Sequence, residues 1–539
     1  MLSGSAYFFL FFSTLLFPGS FQFSTVVPFH RFCGRQGTSP SIGSPSLMTP
    51  KKATETDPLL PSSSAPDANN ERTISPSSTG RTILSLAIPA AAALLIDPLM
   101  TLADTAFVGH YSSGTDGATP LAGMGAAVAV LSFGLYLCNF LCTATTPLVA
   151  SAPDATAAAR VGGQALSLAL TLGMVGTVVV WAGRDVFIDQ IMGVTDPVAR
   201  GYAVTFLTVR ALAVPAVLTI EAATGILRGT LDTKTPVAVL VGANGVNFVL
   251  DVLLIAVWGW GPLGAAIATT TAEWISAGVF LSMLSGSLPL VGLEDGSKKK
   301  DDWVPVTPLR ELPAWADVKP LIVASGSVLF RSLTLQLSLA AAAAMASRSA
   351  TTSMAAHQIG IQLWLLCSFF CDSLAAASQG LVADALGRND AVAVLDISKT
   401  VFRYSLVLGL FLAAVLQTGS GTGFLLDLFT KDPATQAALV TILPLIVIAQ
   451  PLNSLVFAAD GVLQGASQFS FQARAMAISG AAALCTFGVV ERAEPTETSV
   501  LVHVWLALIA LQVMRGLTSL WKLVDDDGPI RLWQQPESV

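Results

Sequence analysis

Charge is scarce in this chain. Asp, Glu, Lys and Arg make up 12% of its 539 residues, about half the roughly 25% of a soluble globular protein, which excludes a string of soluble domains. Basic residues are outnumbered, 28 against 35 acidic for a net charge of −7, and no segment forms a basic domain, so nucleic acid is not a partner. Cysteine and histidine are few, six and four, and none share metal-ligand spacing, so no bound metal is expected. Cys138 and Cys142, like Cys367 and Cys371, lie one turn apart in apolar runs, where cysteine serves as a small apolar filler. There is no phosphate-binding G-x-x-x-x-G-K-[ST] loop and no H-E-x-x-H. An ATP-driven pump and a zinc-dependent intramembrane enzyme are both excluded, and no cofactor is implied.

What is abundant is apolar sequence: 53% of residues, with a mean hydropathy of +0.67. Windows of about 19 residues mark apolar segments at 84–108, 119–148, 161–183, 200–224, 236–258 and 263–285. After a polar gap come 318–345, 353–383, 400–420, 438–464, 471–490 and 500–523. Lipid cannot satisfy an open backbone, so each is expected to be a helix. The chain reads as an all-α polytopic membrane protein of twelve spans. It divides into an N-terminal segment 1–81, a first six-helix bundle 82–285, a linker 286–317 containing Lys298–Lys300, a second bundle 318–524 and a tail 525–539.

Lys and Arg number 20 in the two ends and the even connections, against five in the odd connections and three inside spans. The positive-inside rule therefore puts both termini on the cytosol-like side. Residues 6–17 form an apolar run too short to span, followed by a Ser-rich stretch whose first acid is Glu55. This resembles the two-part presequence of plastids bounded by extra membranes and favours the plastid envelope. Glu55–Leu60 (ETDPLL) fits an acidic dileucine signal instead, which keeps a vacuolar or plasma membrane open.

The two halves repeat. Thr119–Ala150 runs from TPLAGMG to PLVA, and Thr352–Ala383 from TSMAAHQ to GLVA, at an offset of 233. Pro215 and Gly225–Gly229 (GILRG) recur as Pro451 and Gly461–Gly465 (GVLQG) at an offset of 236. Six spans per copy is an even number, so the copies enter the membrane in the same direction. They are expected to be related by a pseudo-twofold axis along the membrane normal.

Ionisable groups at membrane depth are costly, about 2.5–3.5 kcal/mol each on insertion scales, and mark pathways or coupling sites. The first half holds Asp97, Asp104, Glu221, Asp251 and Glu273; the second holds Arg331, Asp372, Asp460 and Arg515. Asn244, Asn247 and Asp251 fall at i, i+3 and i+7, one face of a helix. A carboxyl flanked by two amides is suited to a proton or a dehydrated sodium ion, and low-dielectric burial disfavours its charged form. Asp97 precedes Pro98, with Pro89 two turns earlier, and prolines kink helices. Arg331 is expected to pair with an acid such as Asp372. Asp460 and His357 are candidates for the second-half wall of a cavity, and Glu221 and Glu273 for the first.

Leu102–His110 (LADTAFVGH), Gly225–Pro236 (GILRGTLDTKTP), Asn247–Asp251 (NFVLD), Gly264–Trp274 (GAAIATTTAEW), Ser353–Leu365 (SMAAHQIGIQLWL) and Gln450–Gly465 (QPLNSLVFAADGVLQG) together resemble the multidrug and toxic compound extrusion (MATE) transporters. The DinF-type branch, with its plant plastid and endomembrane members, is the nearest match. The resemblance covers roughly residues 82–523. It implies two six-helix bundles around an alternately opening cavity and export of organic solutes in exchange for H⁺ or Na⁺. It also carries a coupling role onto Asp104, Asn247 and Asp251, with Thr269 and Thr270 as further oxygens and a sodium site at the first three as the alternative to a proton.

The expected function is a cation-coupled secondary antiporter, with H⁺ favoured over Na⁺. Its partners would be a small organic substrate and the bilayer, and it would act as a monomer. The alternative is a lipid-linked flippase of the same superfamily, which would want a large basic cavity; the buried charge here is mainly acidic.

Overall fold

The computed structural model of the chain describes residues 76–111, 118–293, 304–308, 315–347, 351–429, 432–492, 497–525 and 530. The presequence, the dileucine segment, Lys298–Lys300 and most of the C-terminal tail lie outside the described residues. Among the described residues all regular structure is helical. The first half comprises α1 (Pro76–Tyr111), α2 (Ala118–Leu137), α3 (Phe140–Ala150), α4 (Ala155–Asp185), α5 (Pro197–Ala211), α6 (Val214–Gly229), α7 (Lys234–Asp251) and α8 (Gly261–Leu284). The second comprises α9 (Trp315–Ser347), α10 (Thr351–Gly387), α11 (Ala391–Gly421), the short α12 (Phe424–Phe429), α13 (Pro433–Gly465), α14 (Phe469–Arg492) and α15 (Glu497–Val524).

Every segment expected to span is helical. Among the described residues, ten stretches of helix are long and apolar enough to cross a membrane, α2 and α3 counting as one, and the pair α5 and α6, bent by 49°, makes eleven. The remaining expected span, α14, is 24 residues long but less apolar. The first span begins at Pro76, earlier than its apolar run, and Thr79 Oγ1 anchors this added turn by donating to Asp396 Oδ2 at 2.6 Å.

The repeat is visible in the packing. A Cβ on Gly225 would lie 2.9 Å from the Cys142 carbonyl, and one on Gly229 2.7 Å from the Thr146 carbonyl. At offsets of 236 and 233, a Cβ on Gly461 would lie 2.5 Å from the Ala375 carbonyl and one on Gly465 2.7 Å from the Gln379 carbonyl. Small residues spaced four apart let two helix backbones approach closely, and each half uses the device once. Both fourth spans then end alike. Leu231 and Ser467, 236 apart, take positive φ of 62° and 54°. The following N–H groups close matching bonds, Asp232 N to Leu227 O and Gln468 N to Leu463 O, each 2.9 Å. Such a six-to-one bond caps the last helical carbonyls.

One helix belongs to both halves. Near its start, α1 buries Ile83 and Ala87 against Leu374 and Leu381 of α10, Val401 of α11 and Val462 of α13. Near its end it buries Val108 among Met124, Phe206, Ile255 and Ala265 of the first half. This second portion carries Asp104.

Candidate functional site

Three helices of the first bundle meet around Asp104. Helix α7 runs regularly to Asp251 and then loosens into a π-helical stretch, Val252–Val257, a wider turn frequent beside functional sites. Asn247 and Asp251 are one turn apart on α7, exposed by 1% and 0%, and both face α1. Asn247 Nδ2 donates to Asp104 Oδ1 at 3.2 Å and to Asp251 Oδ2 at 3.1 Å. One amide thus bridges the two carboxyls. Thr269 on α8 completes the cluster, with Oγ1 3.3 Å from Asp104 Oδ2 and 2.8 Å from the Ala265 carbonyl. A hydroxyl has a single proton to donate, so Thr269 serves the carboxylate or its own helix, not both.

Asn247 Oδ1 and Asp251 Oδ1 are buried without a hydrogen-bond partner among the described residues. Buried acceptors left open are uncommon. Here both belong to the cluster itself, whose carboxyl, amide and hydroxyl oxygens are of the kind that hold a proton or a hard cation.

The remaining sequence candidates fall elsewhere. Asn244 donates to the Leu240 carbonyl of its own helix at 2.9 Å, so the expected three-residue face contributes two members. Thr270 Oγ1 is buried with no partner among the described residues; it is Thr269 that reaches Asp104. Glu273 forms a bidentate pair with Arg210, Nη2 donating to Oε1 at 2.8 Å and Nη1 to Oε2. Glu221 on α6 is half-buried, and its charge acts on Cys138 and Cys142. Asp97 sits on α1 between Pro89 and Pro98, and its side chain is outside the described set. His357 is fully buried in the second bundle, edge-on to Trp505 with ring centres 5.9 Å apart.

The expected pairing of Arg331 with Asp372 is corrected: Arg331 Nη2 donates to Asp460 Oδ2. Arg515 Nη2 donates to the same oxygen, and Gln472 Nε2 to Oδ1 at 3.2 Å. Helices α9, α13, α14 and α15 converge on Asp460, which therefore outcompetes Asp372 of α10. Asp372 instead lies in the fields of Arg228 and Arg331.

The MatE family model matches residues 89–253 and 328–485, one stretch in each half. The chain belongs to the MATE family. Among curated relatives, Protein DETOXIFICATION 44, chloroplastic, of Arabidopsis thaliana is 30% identical over 516 residues, covering 93% of each chain. DNA damage-inducible protein F of Escherichia coli is 28% identical over 454 residues, covering 83% of this chain and 92% of that protein. Among solved structures, a MOP superfamily transporter from Pyrococcus furiosus superposes with a TM-score of 0.71 at 19% identity, covering 82% of this chain and 95% of its own; at that identity the likeness establishes the fold. This MATE chain is a multi-pass membrane transporter and not an enzyme.

Sequence reasoning assigned no role to several polar groups of this MATE protein. Arg515 Nη1 donates to Gln512 Oε1, Gln512 Nε2 to Asn453 Oδ1, each at 2.7 Å, and Asn453 Nδ2 to Ser368 Oγ at 3.1 Å. This chain links Asp460 to α10 through uncharged amides, which leave little trace in hydropathy.

Proposed function

We propose that the protein is a cation-coupled antiporter that exports small organic solutes by alternating access, with Asp104, Asn247 and Asp251 as its ion-coupling site and Thr269 as a supporting oxygen. The observation that carries this reading is the buried carboxyl pair bridged by one amide, with one oxygen of Asp251 and the oxygen of that amide left without a partner among the described residues. Proton exchange is favoured over sodium because two carboxyls bridged by one amide repel each other when both are charged, and a single proton relieves that. Loading the pair must favour one facing state over the other, since an ion with equal affinity for both shifts nothing. A plastid envelope location is supported by the presequence-like N-terminus and by the chloroplastic relative. The working unit is taken as a monomer with no cofactor. The lipid-flippase alternative is not favoured: the ionisable groups gathered at the candidate site, Asp104, Asp251 and Glu273 against Arg210, are mainly acidic.

The test needs no substrate. Trp258 and Trp260, with ring centres 5.2 Å apart, follow the π-helical stretch after Asp251. Tryptophan emission of the purified protein is expected to change with pH, and Asp251→Asn to abolish that change. A response identical in the variant would remove the site from coupling. Displacement of the midpoint by Na⁺ would make sodium the competing ion.

A further inference from the structure

We propose that the Arg210–Glu273 ion pair ties the acid pair to the bend in the fourth span, making Arg210 and Glu273 positioning residues of the coupling reaction. The proposal rests on the reading of Asp104 and Asp251 as the coupling site.

The bend is built from identifiable parts. Pro215 has no N–H for the Ala211 carbonyl one turn before it, and Thr177 of α4 takes that carbonyl instead, Oγ1 donating at 2.9 Å. At the break itself, Trp274 Nε1 donates to the Leu212 carbonyl at 3.1 Å. Arg210 lies in the last turn of α5, immediately before the break, and its guanidinium is clamped by Glu273. Trp274 and Glu273 are neighbours on α8, one turn beyond Thr269, whose hydroxyl lies within reach of Asp104 Oδ2 at 3.3 Å. A single rigid helix thus touches the acid pair at one turn and the bend at the next.

The second half supplies an internal control. Pro451 is the repeat counterpart of Pro215, yet α13 passes through it as one helix from Pro433 to Gly465. A proline alone therefore does not break this span. The position matching Thr177 is Ala413, which has no hydroxyl to take a freed carbonyl. The break occurs only in the half that has the ties.

The pair also acts through charge. Arg210 from α5 is close enough for its charge to act on Asp104, and Glu273 from α8 neutralises it. Asp104 of α1 and Asp251 of α7 are the other ionisable groups of this cluster. Without Glu273 the guanidinium would stand uncompensated beside the acid pair and favour the carboxylate form, so more acid would be needed to load it.

The test is a pH titration of tryptophan emission on the full-length protein in sodium-free buffer. Glu273→Gln is expected to move the midpoint to more acid pH by about one unit, the scale of a single nearby charge inside a protein; an unmoved midpoint overturns the proposal. Arg210→Gln combined with Glu273→Gln is expected to return the midpoint towards wild type while at least halving the amplitude, because the tie is gone. Full amplitude in the double variant overturns the tie. Glu273→Asp keeps the charge, guards against a folding failure and is expected to hold the wild-type midpoint; the Glu273→Gln midpoint in its place overturns the role of charge. Asp251→Asn separates the two readings. If it abolishes the response and Glu273→Gln does not move it, the inference alone fails. If Asp251→Asn leaves the response intact, the coupling site itself is misassigned and the inference falls with it.

Discussion

Gln379 of the second bundle donates its side-chain amide to the backbone carbonyl of Thr143 in the first, at 2.6 Å. The carbonyl is available because the residue one turn on is Pro147, which has no N–H to close the helical bond. Around it, Gly380 approaches the Arg228 carbonyl and Gly387 packs on Ser151, so the two halves touch at the end carrying the even connections. The alternating-access cycle proposed above requires these contacts to part, and the Gln379–Thr143 bond is the polar member among them.

Gln379→Leu should therefore loosen this end. The variant leaves the Thr143 carbonyl without a donor, a loss of about 1–3 kcal/mol while the halves stay together. A cysteine at Ser151, in a Cys485→Ala background that removes an exposed native thiol, is expected to react at least twice as fast with a membrane-impermeant thiol reagent when Gln379 is Leu. Gln379→Glu should behave the same way, because a carboxylate cannot donate. Equal labelling rates would mean that the bond does not hold the halves together.

The close helix crossings give a sharper steric prediction. Gly461→Val would drive its Cβ to 2.5 Å from the Ala375 carbonyl, and Gly225→Val to 2.9 Å from that of Cys142, whereas a Cβ on Gly242 meets nothing within 4 Å. The first two variants are expected to lose monodisperse, folded protein on size exclusion, and Gly242→Ala to match wild type. Normal elution of Gly461→Val would show that α10 and α13 have room to separate.

How much of this was legible in the sequence depends on what kind of signal each residue leaves. Twelve apolar runs and two repeat offsets predict twelve helices in two copies, because hydropathy and spacing act locally. Asp104, Asn247 and Asp251 stand out because a charge or amide inside an apolar run is conspicuous. Asn244 shares their spacing, but a side chain that can bond its own helix needs no site, and periodicity does not register that choice. Partner selection between helices of one half was not readable either. Asp372 and Asp460 are both plausible mates for Arg331, and only the convergence of four helices decides for Asp460. Gln379 left one usable clue, Pro147 four residues after Thr143, which marks an orphan carbonyl without naming its donor.

The start of α13 should respond to acid. Asp432 caps this helix, accepting from the Thr435 N–H at 3.0 Å and the Thr435 hydroxyl at 2.6 Å. These bonds hold its carboxyl below the usual carboxylate range. A depressed carboxyl contributes stability that is fully present above its ordinary value, near pH 4, and is lost as pH falls through the lower folded value. Hydrogen exchange of the amides of residues 434–437 is expected to accelerate below that pH beyond the intrinsic trend, and Asp432→Ala to remove the dependence. An unchanged acid profile in the variant would assign the fraying to another group.

Asp460 is the test of what the second-half charges do. It accepts from both Arg331 and Arg515 through one oxygen, and Asp460 and Arg515 are each only 5% exposed. Removing one member of a buried ionic cluster costs roughly 3–5 kcal/mol, because the charges left behind have neither water nor partner. Asp460→Asn strands two guanidiniums against each other, so a marked fall in the thermal midpoint is expected. Adding Arg331→Gln removes half of that stranded charge and is expected to recover part of the loss, although it deletes a further native contact. Such recovery would identify repulsion between the two arginines as the penalty. If the double variant is instead less stable than Asp460→Asn, the hydrogen bonds through Gln472 and Gln512, rather than charge balance, hold these helices together.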